Sequence, residues 1–186
     1  MKDLYETFVS KLSEYSIPMN IIAIGRSALP FYDIPEEYTQ DLDFEFMAED
    51  EHLNEQLFDI IRKVLAEIGV PANFGNSIDR WSVVPMPVGY RDRTRTVMER
   101  GGVRLGVLDP ADYVLSKLRR GTAGDQDDAG KVITKYGITK TNLENRLKMI
   151  EPIRDTEMFL FIQRFKAFLD SMYCAPGSAT QAEKIE

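Results

Sequence analysis

The sequence predicts an α/β (α+β) domain built on a small mixed sheet, with a helical C-terminal part. Three observations predict it. Short β-branched runs alternate with stretches of helical apolar period in the first half. A strand-rich middle follows. After Asp109 the apolar residues recur only at helical spacing.

The elements follow in order. Leu4, Phe8 and Leu12 fall at i, i+4 and i+8, one face of a helix over 3–15. Ser16-Ile17-Pro18 breaks it. Asn20-Ile21-Ile22-Ala23-Ile24 is short, β-branched and stopped by Gly25, which suits a buried strand. A short helix is expected from Ser27 to Tyr32, ending near Pro35. From Asp41 to Met47 the pattern alternates. Leu42, Phe44 and Phe46 share one face, and Asp41, Asp43 and Glu45 share the other. Residues 51–68 form an amphipathic helix through Leu53, Leu57, Ile60, Ile61, Val64, Leu65 and Ile68, with Gly69 at its end and Pro71 beyond. Ala72-Asn73-Phe74 and Trp81-Ser82-Val83-Val84 are expected strands, the latter near an edge because Pro85 and Pro87 follow. Thr94 to Met98 and Val103 to Val107 suit a hairpin around Gly101-Gly102. Asp109-Pro110 supplies an N-cap and an N1 proline for a helix to about Arg120. Asp125–Tyr136, 141–150 and 156–173 complete the helices. The expected organisation is a domain over 1–137, helices over 138–174 packed on it, and a disordered tail over 175–186.

Composition narrows the function classes. The 186 residues suffice for a core without disulfides, and the single cysteine, Cys174, cannot form an internal one. No apolar run approaches a membrane span, and the N-terminus lacks the apolar core of a signal peptide. A cytoplasmic location is expected. A net charge of -7 argues against a non-specific DNA binder, which needs a basic footprint. Arginines 91, 93, 95, 100 and 104 offer either a local basic patch for RNA or a solvated hairpin. His52 is the sole histidine and nothing supports a hydrolase built on it.

Asp41-Leu42-Asp43 carries the most chemistry. Carboxylates two apart on a strand share a face and can hold a divalent cation. The D-x-D by itself also fits the wet face of an amphipathic strand, but three like charges on one face are unfavourable without a cation or basic partners. Gly25-Arg26-Ser27 sits at a strand-to-helix turn, where glycine admits close backbone approach to phosphate and Ser27 can donate a hydroxyl. By itself it also fits an ordinary β–α turn.

In this order, Gly25-Arg26-Ser27-Ala28-Leu29 and Thr39-Gln40-Asp41-Leu42-Asp43-Phe44 resemble the polymerase β-like nucleotidyltransferase superfamily. A second block, Leu108-Asp109-Pro110-Ala111-Asp112-Tyr113-Val114-Leu115-Ser116-Lys117-Leu118 followed by Asp125-Gln126-Asp127-Asp128, looks most like its abortive-infection toxin-type branch. The resemblance covers about residues 20–135. It implies a nucleotidyltransferase-like core. Asp41 and Asp43 would hold Mg²⁺ (or Mn²⁺). Gly25, Arg26 and Ser27 would bind nucleotide phosphates, and Lys117, Asp125 and Asp128 would contribute to activity. Pro87-Val88-Gly89-Tyr90-Arg91-Asp92-Arg93 resembles a further stretch of that branch and points Arg93 at a substrate phosphate. The third metal carboxylate of the pattern has Asp79 as its candidate, with Ser82 standing where the acid is expected. Arg26 replaces the usual second glycine of the turn, Glu37 an upstream arginine, and Gly124 the arginine before the D-x-x-D.

The implied activity is transfer of a nucleoside monophosphate from an NTP to an acceptor hydroxyl on RNA, protein or a small molecule. A toxin of a toxin–antitoxin pair, with an antitoxin partner, would fit. The alternative is a catalytically weakened nucleotide-binding or protein-interaction module on the same fold.

Overall fold

The computed structural model describes residues 1–35, 39–48 and 51–173, and of residue 51 the backbone only. Glu37, Cys174 and the expected tail lie outside these residues.

Among the described residues, five strands form one mixed sheet. They are β1 (Met19–Ala23), β2 (Leu42–Ala48), β3 (Ala72–Gly75), β4 (Arg95–Arg100) and β5 (Val103–Val107), in the order β3-β2-β1-β5-β4. β1 is central, antiparallel to β2 and parallel to β5. Four of its five residues are buried, which is why it reads as an apolar run interrupted at Asn20. β3 runs parallel to β2, with Asp43 beside Asn73.

The described residues also form six α-helices: α1 (Lys2–Ser13), α2 (Asn54–Ile68), α3 (Pro110–Arg120), α4 (Ala123–Tyr136), α5 (Lys140–Leu147) and α6 (Thr156–Tyr173). The apolar face of β2 packs on α1 and α2, through Phe8 against Phe44 and Phe58 against Phe46. By strand alternation, Asp43 and Glu45 point to the other side. One cluster of buried residues runs from Tyr5 through the sheet to Phe161 and Phe165 of α6. No helix among the described residues is long and apolar enough to cross a membrane.

Three expectations change. In α1 the buried residues are Tyr5, Phe8, Val9 and Leu12. Leu4 is only partly covered, because the Tyr5 hydroxyl finds a polar partner inside, on the Asp43 carbonyl at 2.9 Å. The turn after Gly25 is a 3₁₀ helix, Arg26–Tyr32. The strand expected over 81–84 is absent. A 3₁₀ turn occupies Ile78–Trp81, opened by the Ser77 hydroxyl accepting from the Asp79 N–H. The Asp79 carboxylate then accepts from the Met86 N–H (2.8 Å) and the Ser82 hydroxyl from the Val84 N–H (3.2 Å). These side-chain bonds replace the ladder a strand would need.

Candidate nucleotide and metal site

The site begins where β1 ends. Gly25 has φ 62° and ψ −157°, a backbone region essentially reserved for glycine. This conformation presses the turn against β2 at Asp43. The Gly25 carbonyl accepts from the Tyr113 hydroxyl of α3 at 2.9 Å, so one residue touches both walls of the site.

Ser27 is fully buried. Its hydroxyl donates to the Ile24 carbonyl (3.0 Å) and accepts from the Asp43 N–H (3.1 Å). It fastens the turn to β2 from inside, whereas the sequence directs it toward phosphate.

Asp41 and Asp43 are brought together by Asn73 of β3. Its amide donates to Asp41 Oδ2 and to Asp43 Oδ1, each at 3.0 Å. Burial and then the Asp41 charge push the Asp43 carboxyl above the usual carboxylate range, against the Asn73 hydrogen bond and the charges of Arg120 and Lys117. Two carboxylates steered by one amide suit Mg²⁺, which takes one or two protein carboxylates and draws its other oxygens from water and substrate phosphates. Among the described residues no set of three His, Cys, Asp or Glu side chains converges as a metal cage. The Asp79 carboxylate is engaged by the buried Arg119 (2.8 Å) and the Met86 N–H.

The facing wall is α3 and α4. Gly121 ends α3 in the left-handed conformation and turns the chain back into α4. Thr122 and Asp125 form a reciprocal capping box there. Lys117 is buried and its ammonium donates to Asp128 Oδ2 (2.7 Å) and Asp125 Oδ1 (3.4 Å). Arg120 reaches Asp125 through two bonds of 3.2 and 2.6 Å. Burial raises the Asp125 carboxyl, but the hydrogen bonds from Arg120 and Thr122 and the Arg120 and Lys117 charges outweigh it. The net shift is downward.

Arg26 joins the turn to this cluster. Its Nε donates to Asp128 Oδ2 at 3.2 Å. A Cβ at Gly124 would lie 3.1 Å from the Arg26 guanidinium. The two departures from the motif are therefore neighbours: the arginine at 26 lies over the glycine at 124.

Gly25, Asp43, Asn73, Lys117 and Arg120 line a cavity of about 290 Å³, together with Ile78, Trp81, Ser82, Ser116 and Arg119. Arg93 is not among them. It is clamped to Asp112 at 2.9 and 3.2 Å and to the Val88 carbonyl at 2.9 Å. In the arginine run Arg100 is exposed, while the other four are engaged with partners. Arg91 pairs with buried Glu45 (2.6 Å), Arg95 donates to the Phe31 carbonyl (2.8 Å) and Arg104 pairs with Glu99 (3.4 Å).

Sequence reasoning missed Asn73, Trp81, Arg119 and Arg120. Arg119 and Arg120 carried a readable signal, a basic end to a helix that already bears Lys117. Asn73 carried none, because its role depends on the register of β3 against β2.

A family model described as "Nucleotidyltransferase of unknown function (DUF6036)" matches residues 2–158. No curated protein and no solved structure matches the chain. The matched span contains the Gly25 turn, both carboxylates and the α3–α4 cluster, and with most of the length covered the chain belongs to this family of nucleotidyltransferases.

Proposed function

We propose that the protein is a metal-dependent nucleotidyltransferase that moves a nucleoside monophosphate from an NTP to an acceptor hydroxyl. The observation that supports it most is one cavity lined by Gly25, Asp43, Lys117 and Arg120. In the reaction the acceptor oxygen forms a bond to the α-phosphorus. The bond from that phosphorus to the β-phosphate oxygen breaks and pyrophosphate leaves. The acceptor proton passes to a base or to water.

Asp41 and Asp43 would hold Mg²⁺ (or Mn²⁺), which when bound supplies charge neutralisation of the triphosphate and acidifies the acceptor hydroxyl. Gly25, lacking a side chain, admits the triphosphate close to the backbone. Arg120 has its side chain 57% exposed and supplies a cation at the cavity wall, while Lys117 supplies a buried one. Arg26 adds positive charge beside Asp128. Asn73 orients both carboxylates. Ser27 and Arg93 are engaged inside the fold, and no phosphate is assigned to them.

The finer reading, a toxin-type enzyme with an antitoxin partner and an RNA, protein or small-molecule acceptor, is supported by the resemblance of the Lys117 and Asp125–Asp128 motifs to the toxin-type branch. A second reading, a catalytically weakened nucleotide-binding module, is favoured by one feature. Asp79 is bound to Arg119 and Met86, and Ser82 lines the cavity instead of an acid. Incubation with each labelled NTP, Mg²⁺ and total cell RNA or protein separates the two. Label transfer is expected. NTP binding without transfer to any acceptor would leave the weakened module standing and sink the enzyme.

A further inference from the structure

Trp81, the only tryptophan in the chain, is 36% exposed and lines the same cavity as Asp43 and Lys117. Its presentation is built into the backbone. It ends the 3₁₀ turn Ile78–Trp81, which is pinned at its start to buried Glu45 through the Ile78 N–H at 2.6 Å. The neighbouring Arg80 lies 5.6 Å from the indole centroid in a cation–π contact. Arg80 is itself clamped. It donates to the Phe74 carbonyl at 3.1 Å and fills space that a side chain at position 75 would take, since a Cβ on Gly75 would lie 2.4 Å from its guanidinium. A large aromatic side chain, held beside Arg80 and partly exposed, thus lies at a cavity whose charged residues are Asp43, Lys117, Arg119 and Arg120. No other residue lining that cavity is aromatic. Only the indole offers a π-face to a planar ring.

We infer that Trp81 is the nucleobase platform of the site, stacking on the base of the NTP whose triphosphate meets Gly25 and Arg120. This rests on the nucleotide reading above. Stacking on an aromatic face tolerates any base, because each has a π-face. Such a platform predicts binding of all four NTPs, with hydrogen-bonding groups such as Ser82 and Ser116 left to bias the choice.

The single tryptophan makes the test direct, since intrinsic indole emission reports on this residue alone. The protein is titrated with ATP, GTP, CTP and UTP, each with Mg²⁺, and with inorganic tripolyphosphate as a base-free probe. Binding is followed in parallel by calorimetry. Each NTP is expected to quench the emission, and tripolyphosphate to bind without quenching. Trp81→Ala should weaken NTP binding about tenfold and leave tripolyphosphate binding unchanged, and Trp81→Phe should recover most of the loss. NTP binding by calorimetry with unaltered emission, or equal NTP affinity in Trp81→Ala, would overturn the platform and leave the nucleotidyltransferase reading intact. Absence of calorimetric binding for every NTP would overturn both.

Discussion

A Cβ built on Gly25 would stand 2.3 Å from Asp43 Oδ2. The turn and the carboxylate therefore fit together only while position 25 has no side chain. Either the backbone of the turn or the Asp43 side chain must move in Gly25→Ala, and alanine also dislikes φ +62°. The variant is expected to lose about 1–3 kcal/mol of stability and to bind Mg²⁺-NTP poorly. Thermal melts and calorimetry check it. Unchanged binding would show that the contact is packing without function.

Asp43 carries the opposite expectation for stability. Its charge is held in a partly buried place next to that of Asp41, and this combination raises its carboxyl above the usual range. At neutral pH the ionised form is therefore costly in the fold. Asp43→Asn removes the charge and keeps the shape, so without metal the variant should melt at the same temperature as the wild type or higher. Label transfer should fall by at least about 100-fold. A clearly lower melting temperature would mean that Asp43 is structural. Full activity would remove it from the proposed site.

Arg26 and Gly124 should behave as a coupled pair. An arginine at 124 would crowd the Arg26 guanidinium, since a Cβ at that position would already lie 3.1 Å from Arg26 Nη2. It would also stand one helical turn before Asp128 on α4, the i, i+4 spacing at which an ion pair forms. Gly124→Arg and Arg26→Gly are each expected to destabilise. Arg26→Gly with Gly124→Arg should restore the ion pair to Asp128 from the other side, with a coupling of about 0.5–3 kcal/mol. Denaturant melts of the four proteins measure it, and strictly additive effects would refute the coupling.

How far the sequence could be read follows from how local each signal is. The hairpin around Gly101-Gly102 and the Asp109-Pro110 start of α3 rest on residues within a few positions of each other, and both formed where expected. The shared face of Asp41 and Asp43 was equally local. Glu45 was not. Alternation placed it on a wet face, yet it is fully buried. Its carboxylate accepts from the Ile78 N–H, the Tyr90 hydroxyl (2.7 Å) and Arg91, because the irregular segment after β3 folds over that face. Arg93 is engaged in the same way, since its partner Asp112 stands on α3. Charged residues pair across the fold, and their spacing along the chain does not reveal the partner. The Gly25 turn lies between these cases: the glycine was legible, while the inward hydrogen bonds of Ser27 depend on β2 and α1.

Asp125 gives the fold a pH dependence whose direction can be worked out. Its carboxyl sits below the ordinary range, since Arg120, Thr122 and Lys117 outweigh the burial that raises it. The unfolded chain binds the proton more readily than the folded one. The stabilisation is therefore complete well above the ordinary value of about 4 and drains away as pH falls through the lower folded value. Asp125→Asn keeps the shape of the cap but takes one of two carboxylates, Asp125 and Asp128, away from the buried Lys117. At pH near 7 the variant should be less stable by about 2–4 kcal/mol. As pH falls below about 4 the wild type loses its advantage and the two melting curves should converge. Melts across that range decide the matter: a gap that stays constant with pH would show that the cap geometry, and not the charge of Asp125, holds α3 and α4 together.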